Sequence, residues 1–400
     1  VVSGRQTGWY CVGCEEFKDD PSDAVAPECS IHRKPLEWRD EENLFFRLSR
    51  YQTQIEDLVN REDFIQPTSR RQEVRNFVAQ GLRDFSISRV NVSWGLPVPD
   101  HQGHTFYVWF DALLGYLTAL LDDGGEPDLD RLEACGWPAS IHVIGKDILA
   151  PPHAVYWPIM LKASNLSLPR QILAHGWWTS SGAKMSKSTG ETVDPLQLVD
   201  QYGADAFRYF VMREMTVGRD AEFSLERFES RYRADLGNDL GNLLSRLLHM
   251  IAGYCNGLVP EIKVRGEPEE KICQLWEETK SRVLNDFSSY RFNQALDQVF
   301  GFFRSINKYA DERSPWKLAK SEDPEDRKRF ETSLYVMAES LRLAVGLLEP
   351  VMPNTTDKVY DLLGCTNEAD WNRRLLRGDT LVGQEIGEKT ILFPKPQMKS

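Results

Sequence analysis

The spacing of apolar residues changes character along the chain. Residues 1 to about 40 show little periodicity. Glu42 to Arg50 and Gln72 to Phe85 carry helical spacing, and the turn-rich Leu96-Pro97-Val98-Pro99 follows. Three short runs rich in β-branched and aromatic residues come next: Thr105 to Phe110, Ile141 to Ile144 and Gln171 to Ala174. Each leads into a helical pattern or a glycine turn. Strands alternating with helices predict a parallel sheet with crossover helices. Ligands of such sheets sit beyond the carboxyl ends of the strands. Past residue 220 the strand signals fade. Leu236, Leu240, Leu243, Leu244, Leu247 and Leu248 recur at helical spacing. Similar patterns run through 266–289, 291–310 and 327–349, which predicts an antiparallel helix bundle. Lys389 to Pro394 reads as a short strand or tail.

Composition bounds this picture. A chain of 400 residues has room for two or three domains. No apolar run has the length of a membrane span, and no signal peptide is visible. The opening Val1-Val2-Ser3-Gly4 reads as mid-domain sequence and raises the expectation of a fragment. A net charge of −12 argues against indiscriminate coating of nucleic acid, but a local basic surface still meets phosphate. Three clusters could supply one: Arg227, Arg231 and Arg233; Arg313, Lys317 and Lys320; Arg373, Arg374 and Arg377. Taken singly, each is expected to be a solvated helix face. Of seven cysteines, four are scattered singly, which suits a reducing compartment.

The remaining cysteines carry chemistry. Cys11-x2-Cys14 and Cys29-x2-His32 offer three thiolates and an imidazole, the ligands of a closed, structural zinc site. The alternative is a redox Cys-x-x-Cys beside an unrelated histidine. Further along, Lys184-Met185-Ser186-Lys187-Ser188 sits between Gly182 and Thr189-Gly190. Two mobile ammonium groups on a hinged loop suit a polyphosphate. Gly145-Lys146-Asp147 and His175-Gly176 also lie just past strand ends.

Other patterns leave alternatives open. Trp109, Ala112 and Tyr116 fall at i, i+3, i+7 and could wall an apolar pocket or fill a core, the second being favoured by periodicity alone. Asn238, Asn242 and Arg246 form a polar stripe on a leucine-rich helix. It could read unpaired bases or satisfy buried backbone. Trp316, after Ser314-Pro315, could stack on a base or anchor a helix start. His101-Gln102-Gly103-His104 imitates a nucleotide motif, but sits in a turn before a strand and reads as coincidence.

In combination and in order, these motifs resemble the methionine–tRNA ligase family of class I aminoacyl-tRNA synthetases, of the bacterial or organellar type with one zinc knuckle. The resemblance covers nearly the whole chain. It runs from the knuckle through Tyr107-Val-Trp109-Phe-Asp-Ala112, Gly145-Lys-Asp147, the lysine loop, Val193-Asp194-Pro195 and Tyr202 to Ala206. It ends at Asn242-x3-Arg246 and Pro315-Trp316.

The resemblance implies an α/β plus all-α fold, the second half of a Rossmann-type catalytic domain followed by a helical anticodon-binding domain. The expected divisions are 1–100 with the knuckle at about 9–38, then 101–180, 181–219 and 220–400. It implies that Trp109, Ala112, Tyr116 and His153 line a methionine pocket. Gly145, Asp147, His175, Gly176, Lys184, Ser186 and Lys187 would bind ATP, with Lys184 and Lys187 catalytic. Asn242, Arg246 and Trp316 would read the anticodon. Cys11, Cys14, Cys29 and His32 would hold Zn²⁺, and Mg²⁺ would accompany ATP. The implied partners are methionine, ATP and methionine tRNAs, with no membrane. The implied location is cytoplasmic or organellar.

Two departures stand out. The family's His-x-Gly-His belongs to an N-terminal half that this sequence lacks, so little adenylation is expected of the chain alone. Leu149-Ala150-Pro151-Pro152-His153 is one residue longer than the family pattern and has no aromatic before the histidine, which bears on where His153 lies. The competing readings are a class I synthetase for leucine, isoleucine, valine or cysteine, and a non-catalytic tRNA-binding fragment.

Overall fold

A computed structural model describes residues 1–13, 16–18, 27–29, 33–90, 94–121, 129–180, 183–184, 194–365, 370–378, 380–388 and 390–394. The chain divides into two compact units, Val1–His175 and Gly176–Ser400.

The first unit opens with a long antiparallel ribbon. Strands β1 (Val2–Cys11) and β3 (Glu37–Phe46) pair from Val2↔Phe45 to Tyr10↔Glu37, flanked by β2 (Glu16–Lys18) and β5 (Phe85–Ser86). The helix expected from Glu42 to Arg50 is therefore not formed. Glu42 to Phe46 completes β3, and only a single tight turn, Leu48–Tyr51, follows. Cross-strand partners decide this: Leu44 is buried with Ile87 and Val98, and a tertiary ladder overrides a local helical spacing. Helices α1 (Gln52–Asn60) and α2 (Thr68–Ala79) come next, with β4 (Ile65–Gln66) between them. The pattern from Gln72 to Phe85 thus ends as helix at Ala79, and Phe85 joins the ribbon sheet.

The parallel sheet contains two of the three expected runs and a strand not foreseen, with order β4, β9 (Ile172–His175), β8 (His142–Gly145). Its register sets Ile144 beside Ala174 and Gly145 beside His175. Thr105 to Phe110 lies outside it. Only β7 (His104–Phe106) is a strand, and it pairs antiparallel with β6 (Ser88–Val90). Tyr107 N–H still donates to the Ile87 carbonyl, and the Tyr107 carbonyl then starts α3 (Val108–Ala112) by accepting from Phe110. Helix α4 (Gly115–Leu121), the wide helical segment Leu149–Tyr156 and α5 (Trp157–Ala163) complete the unit. Ile55, Phe64, Ile65, Ala154, Ile159 and Ile172 form the core around the sheet.

The second unit begins with a three-stranded sheet, β11 (Ala183–Lys184), β10 (Trp178–Ser180) and β12 (Ala221–Glu222). Helices α6 (Pro195–Tyr202) and α7 (Ala204–Glu214) precede β12. A continuous rod then runs through α8 (Leu225–Arg231), a widened stretch Tyr232–Gly241 and α9 (Asn242–Tyr254). The bundle continues with α10 (Glu267–Ser288), α11 (Phe292–Arg313), the short α12 (Pro315–Leu318), α13 (Pro324–Gly346), α14 (Pro353–Leu363) and α15 (Trp371–Arg374). These bounds follow the helical periods in the sequence closely. Residues 390–394 form no strand. Among the described residues no helix is long and apolar enough to cross a membrane.

Helix α13 is buried on every side from Thr332 to Gly346. Its internal charges are matched. Arg342 donates to both oxygens of Glu339 at 2.8 Å and to the carbonyls of Arg374 (2.6 Å) and Leu376 (2.8 Å). Gly378 N–H reaches Glu339 Oε1 at 3.2 Å. This pair ties residues 374–378 to the bundle. Removing one partner leaves the other charge buried and uncompensated. Arg342→Met is expected to destabilise the chain by about 3–5 kcal/mol in denaturant unfolding, and adding Glu339→Gln should recover part of that loss.

Candidate functional site

The first unit gathers an aromatic cluster at the amino end of α3, on α4 and on the segment before α5. His153 is 2% exposed and both ring nitrogens are engaged. Nδ1 lies 2.7 Å from the Ile148 carbonyl, which can only accept, so Nδ1 carries the proton. Burial lowers the His153 pKa despite that bond, so the ring is neutral and Nε2 is an acceptor. The Tyr116 hydroxyl donates to it at 2.8 Å. Burial also raises the Tyr116 pKa, so the pair carries no charge. Trp109 meets His153 edge-on at 6.1 Å between ring centroids. The structure thus brings Trp109, Tyr116 and His153 together. Ala112 is exposed on the same helical turn, one residue before buried Leu113.

The segment before His153 departs from a regular helix. Ala150 leaves helical geometry (φ −116°, ψ 129°) inside the wide turn, and Pro152 is buried just before the histidine. His153 still reaches back to Ile148.

Two members of this cluster escaped the sequence reading. Trp157, 1% exposed, tilts against Tyr116 at 5.9 Å. His142 meets the Tyr116 ring edge-on at 4.4 Å and lies 6.1 Å from Trp137. Burial, with His153 adding to it, pushes the His142 pKa down to about 4. The run Ile141 to Ile144 did hold a signal. Alternation turns His142 and Ile144 inward and leaves Ile141 and Val143 exposed, the reverse of a simple apolar strand.

A third is Arg89, 7% exposed. Its Nη1 donates to the Ser88 carbonyl (2.8 Å) and Ser86 Oγ (2.9 Å), and its guanidinium lies 4.1 Å from the Tyr107 ring centroid. Among the described residues no carboxylate pairs with it, and its Nε has no partner. It lines a cleft with Gln6, Phe85 and Tyr156. A buried guanidinium without a counter-charge invites an anion.

The strand-end glycines have distinct steric reasons. A Cβ on Gly145 would lie 2.6 Å from Asp147 Oδ1, so the glycine lets that carboxylate fold back across the β8 end. A Cβ on Gly176 would lie 2.0 Å from the Arg219 carbonyl oxygen, and Trp177 N–H donates to Asp220 at 2.9 Å. Gly176 is thus required by a backbone crossing. His175 ends β9 beside Gly145. In the second unit the backbone of Lys184 pairs with Thr179 across β10 and β11. Ser186 and Lys187 lie outside the described residues.

Cys11 ends β1. The Cys29 carbonyl accepts from Arg33 N–H at 2.8 Å, and Cys29 N–H donates to the Lys34 carbonyl at 2.9 Å. Both are buried in one small cluster with Leu36, against Trp9. Cys14 and His32 lie outside the described residues.

On the rod, Asn238, Asn242 and Arg246 are exposed on one face. Asn242 donates to Asn238 at 3.3 Å, and Arg246 donates to Asn307 of α11. None of the three is consumed by buried backbone. Trp316 is 39% exposed. Its helix start is held by Ser314 in the left-handed region (φ 46°) and by Arg313, which grips buried Glu269 together with Tyr309. Each basic cluster is partly neutralised within the unit: Arg227 and Arg231 share Glu214, Arg313 takes Glu269, and Arg374 takes Glu349.

Residues 2–248 match the family model described as tRNA synthetases class I (M), and residues 269–395 match the anticodon-binding domain of tRNA ligase. A class I synthetase catalytic domain followed by a helical anticodon-binding domain is therefore the class that the fold defines. A methionine–tRNA ligase of Synechocystis is 48% identical over 92% of this chain and 69% of its own length, and one of Nostoc is 49% identical over 91% and 68%. The crystal structure of Mycobacterium tuberculosis methionyl-tRNA synthetase bound by methionyl-adenylate superimposes with a TM-score of 0.90 at 38% identity, over 98% of this chain and 77% of that one. The chain belongs to the methionine–tRNA ligase family.

The two buried histidines give the first unit a pH dependence. His142 is held neutral down to about pH 4, whereas an unfolded histidine takes up its proton near 6.5. A depressed folded pKa contributes stability above the unfolded value and loses it as pH falls. Denaturant unfolding across this window is expected to show a loss on the order of 3 kcal/mol from His142, and His142→Phe should flatten the slope.

Proposed function

We propose that the protein attaches methionine to its tRNA in two steps. The methionine carboxylate attacks the α-phosphorus of ATP, giving methionyl-adenylate and pyrophosphate. The terminal ribose hydroxyl of the tRNA then takes the methionyl group and releases AMP. The observation that carries this reading is the uncharged aromatic cluster of Trp109, Tyr116, His153 and Trp157 in a chain of this family. Aromatic rings and a neutral imidazole suit an unbranched, polarizable thioether and disfavour charged side chains. Ala112, exposed one turn from Trp109, would border the same pocket.

In this reading Lys184 and Lys187 neutralise the phosphates as pyrophosphate departs, and Ser186 hydrogen-bonds to them. Phosphoryl transfer of this kind needs positioning and charge compensation rather than a protein nucleophile. Asp147 accepts from the ribose hydroxyls, with Gly145, His175 and Gly176 allowing close approach. Mg²⁺ enters with ATP. Asn242, Arg246 and Trp316 meet the anticodon, the first two by hydrogen bonds and the third by stacking. Such a reaction belongs where translation takes place, in the cytoplasm or an organelle.

We further infer that residues 1–400 by themselves adenylate poorly. Among the described residues β8 is an edge of its parallel sheet with Val143 64% exposed, whereas parallel sheets ordinarily have both faces covered. The same observation favours a second reading for this stretch alone, a tRNA-binding module.

Zn²⁺ would be held by Cys11, Cys14, Cys29 and His32. Two buried cysteines in one apolar cluster, one of them tied by its backbone to Arg33 and Lys34, fit a closed structural site. Bound there, the ion would order the knuckle and take no part in the reaction. Metal analysis is expected to find about one zinc per chain, lost in Cys29→Ser.

Amino-acid-dependent ATP–pyrophosphate exchange tests the main reading. A longer version with a strand–His-x-Gly-His–helix segment ahead of Val1 is expected to exchange with methionine and not with leucine, isoleucine, valine or cysteine. The 400-residue chain alone should stay near background. Another amino acid replacing methionine would sink the specificity, and full exchange by the short chain would sink the half-site inference. In the longer version, Lys187→Ala should slow exchange about 100-fold and change methionine affinity by less than about 3-fold, and Lys187→Arg should restore little.

A further inference from the structure

Arg246 is an exposed guanidinium on a long stem, and such a side chain loses appreciable rotamer freedom when a ligand immobilises it. In this structure it is already held. Its Nη2 donates to Asn307 Oδ1 from the neighbouring helix α11. The direction of that amide is not arbitrary. Asn307 Nδ2 lies 3.0 Å from the Asp239 carbonyl and 3.1 Å from the Phe303 carbonyl. Two acceptors at one end of the amide require the NH₂ there, so the oxygen must face Arg246.

The charge pattern sharpens the point. Arg304, one turn away on α11, is neutralised by the Asp239 carboxylate at 3.1 Å. Arg246 has no carboxylate partner among the described residues. An amide oxygen orients a guanidinium without cancelling its charge, which a carboxylate at the same place would do. The grip uses one of the five donors of Arg246, so the others stay available.

We propose that Asn307 is a positioning residue for tRNA recognition: clamped by two backbone carbonyls, it presets the Arg246 guanidinium, still charged, toward the RNA. This rests on the reading that Arg246 meets the anticodon. Asn307 itself contacts Arg246 and the backbone, not the base. It is not part of the Asn238, Asn242, Arg246 stripe and has no periodicity that would mark it in the sequence.

The test is a double-mutant cycle on the 400-residue chain, read as fluorescence anisotropy of a labelled CAU anticodon stem-loop, with thermal melting as a folding control. Arg246→Ala is expected to weaken binding about 100-fold and Asn307→Ala about 10-fold, with melting unchanged. The double variant should bind no more weakly than Arg246→Ala, because the asparagine acts only through the arginine. Asn307→Asp keeps the shape, but it loses the donors to both carbonyls and neutralises Arg246, so it should bind no better than Asn307→Ala. Additive losses in the double variant, or full binding by Asn307→Asp, would overturn the clamp. Undiminished binding by Arg246→Ala would overturn the anticodon reading itself.

Discussion

A side chain whose donor is consumed by the main chain presents its acceptor in one fixed direction, and both candidate sites depend on that constraint. In the first unit the Ile148 carbonyl takes the Nδ1 proton of His153. The remaining nitrogen can then only accept, and the Tyr116 hydroxyl must donate to it. The tautomer, the neutrality of the pair and the orientation of Tyr116 all follow from one backbone contact. In the second unit the Asp239 and Phe303 carbonyls take the Asn307 donors, and the Asn307 oxygen must face Arg246. Neither arrangement needs a second charged residue. That matters because a buried counter-ion would cost desolvation in the first case and cancel the useful charge in the second.

The same logic sorts the many arginines of the helical unit. Arg342 and Arg313 lie against buried carboxylates and serve the fold. Arg208 donates to the Val351 and Pro350 carbonyls and pins the turn before α14. Asp205 holds the first turn of α14 itself, accepting from Thr355 N–H and Asn354. Sequence proximity of basic residues therefore says little about nucleic-acid contact here. What distinguishes Arg246 is that, among the described residues, it is held by a neutral side-chain amide and by no carboxylate.

The helical unit was legible in the sequence because its core is local in period. Leucines three and four apart on the rod are all buried, and the bounds of α10, α11 and α13 lie close to those read from spacing alone. The first unit was less legible because its strands are defined by partners far away in sequence. Val2–Cys11 is a strand only because residues 37–46 lie beside it, and Glu42 to Phe46, helical by spacing, joined that ladder. Ile65–Gln66 is too short to show any period. For the candidate site, Trp109, Tyr116 and His153 could be named from a motif, whereas His142, Trp157, Arg89 and Asn307 could not. Their roles lie in what they touch across the fold, and a single sequence does not display that.

The segment before His153 is held between two anchors. The Ile148 carbonyl holds His153 from one side, and Trp157, buried against Tyr116 and Trp137, starts α5 on the other. Between them Ala150 leaves helical geometry before the wide turn runs on through Tyr156. Wide turns of this kind recur at functional positions because they change register without moving the flanking helix. The rod has a widened stretch as well, Tyr232–Gly241, which carries Asn238 and runs into the helix that carries Asn242 and Arg246. In both units, then, a residue proposed to meet ligand lies in or just beyond a stretch of relaxed helical pitch, and its orientation is fixed by hydrogen bonding, directly to the main chain for His153 and through Asn307 for Arg246.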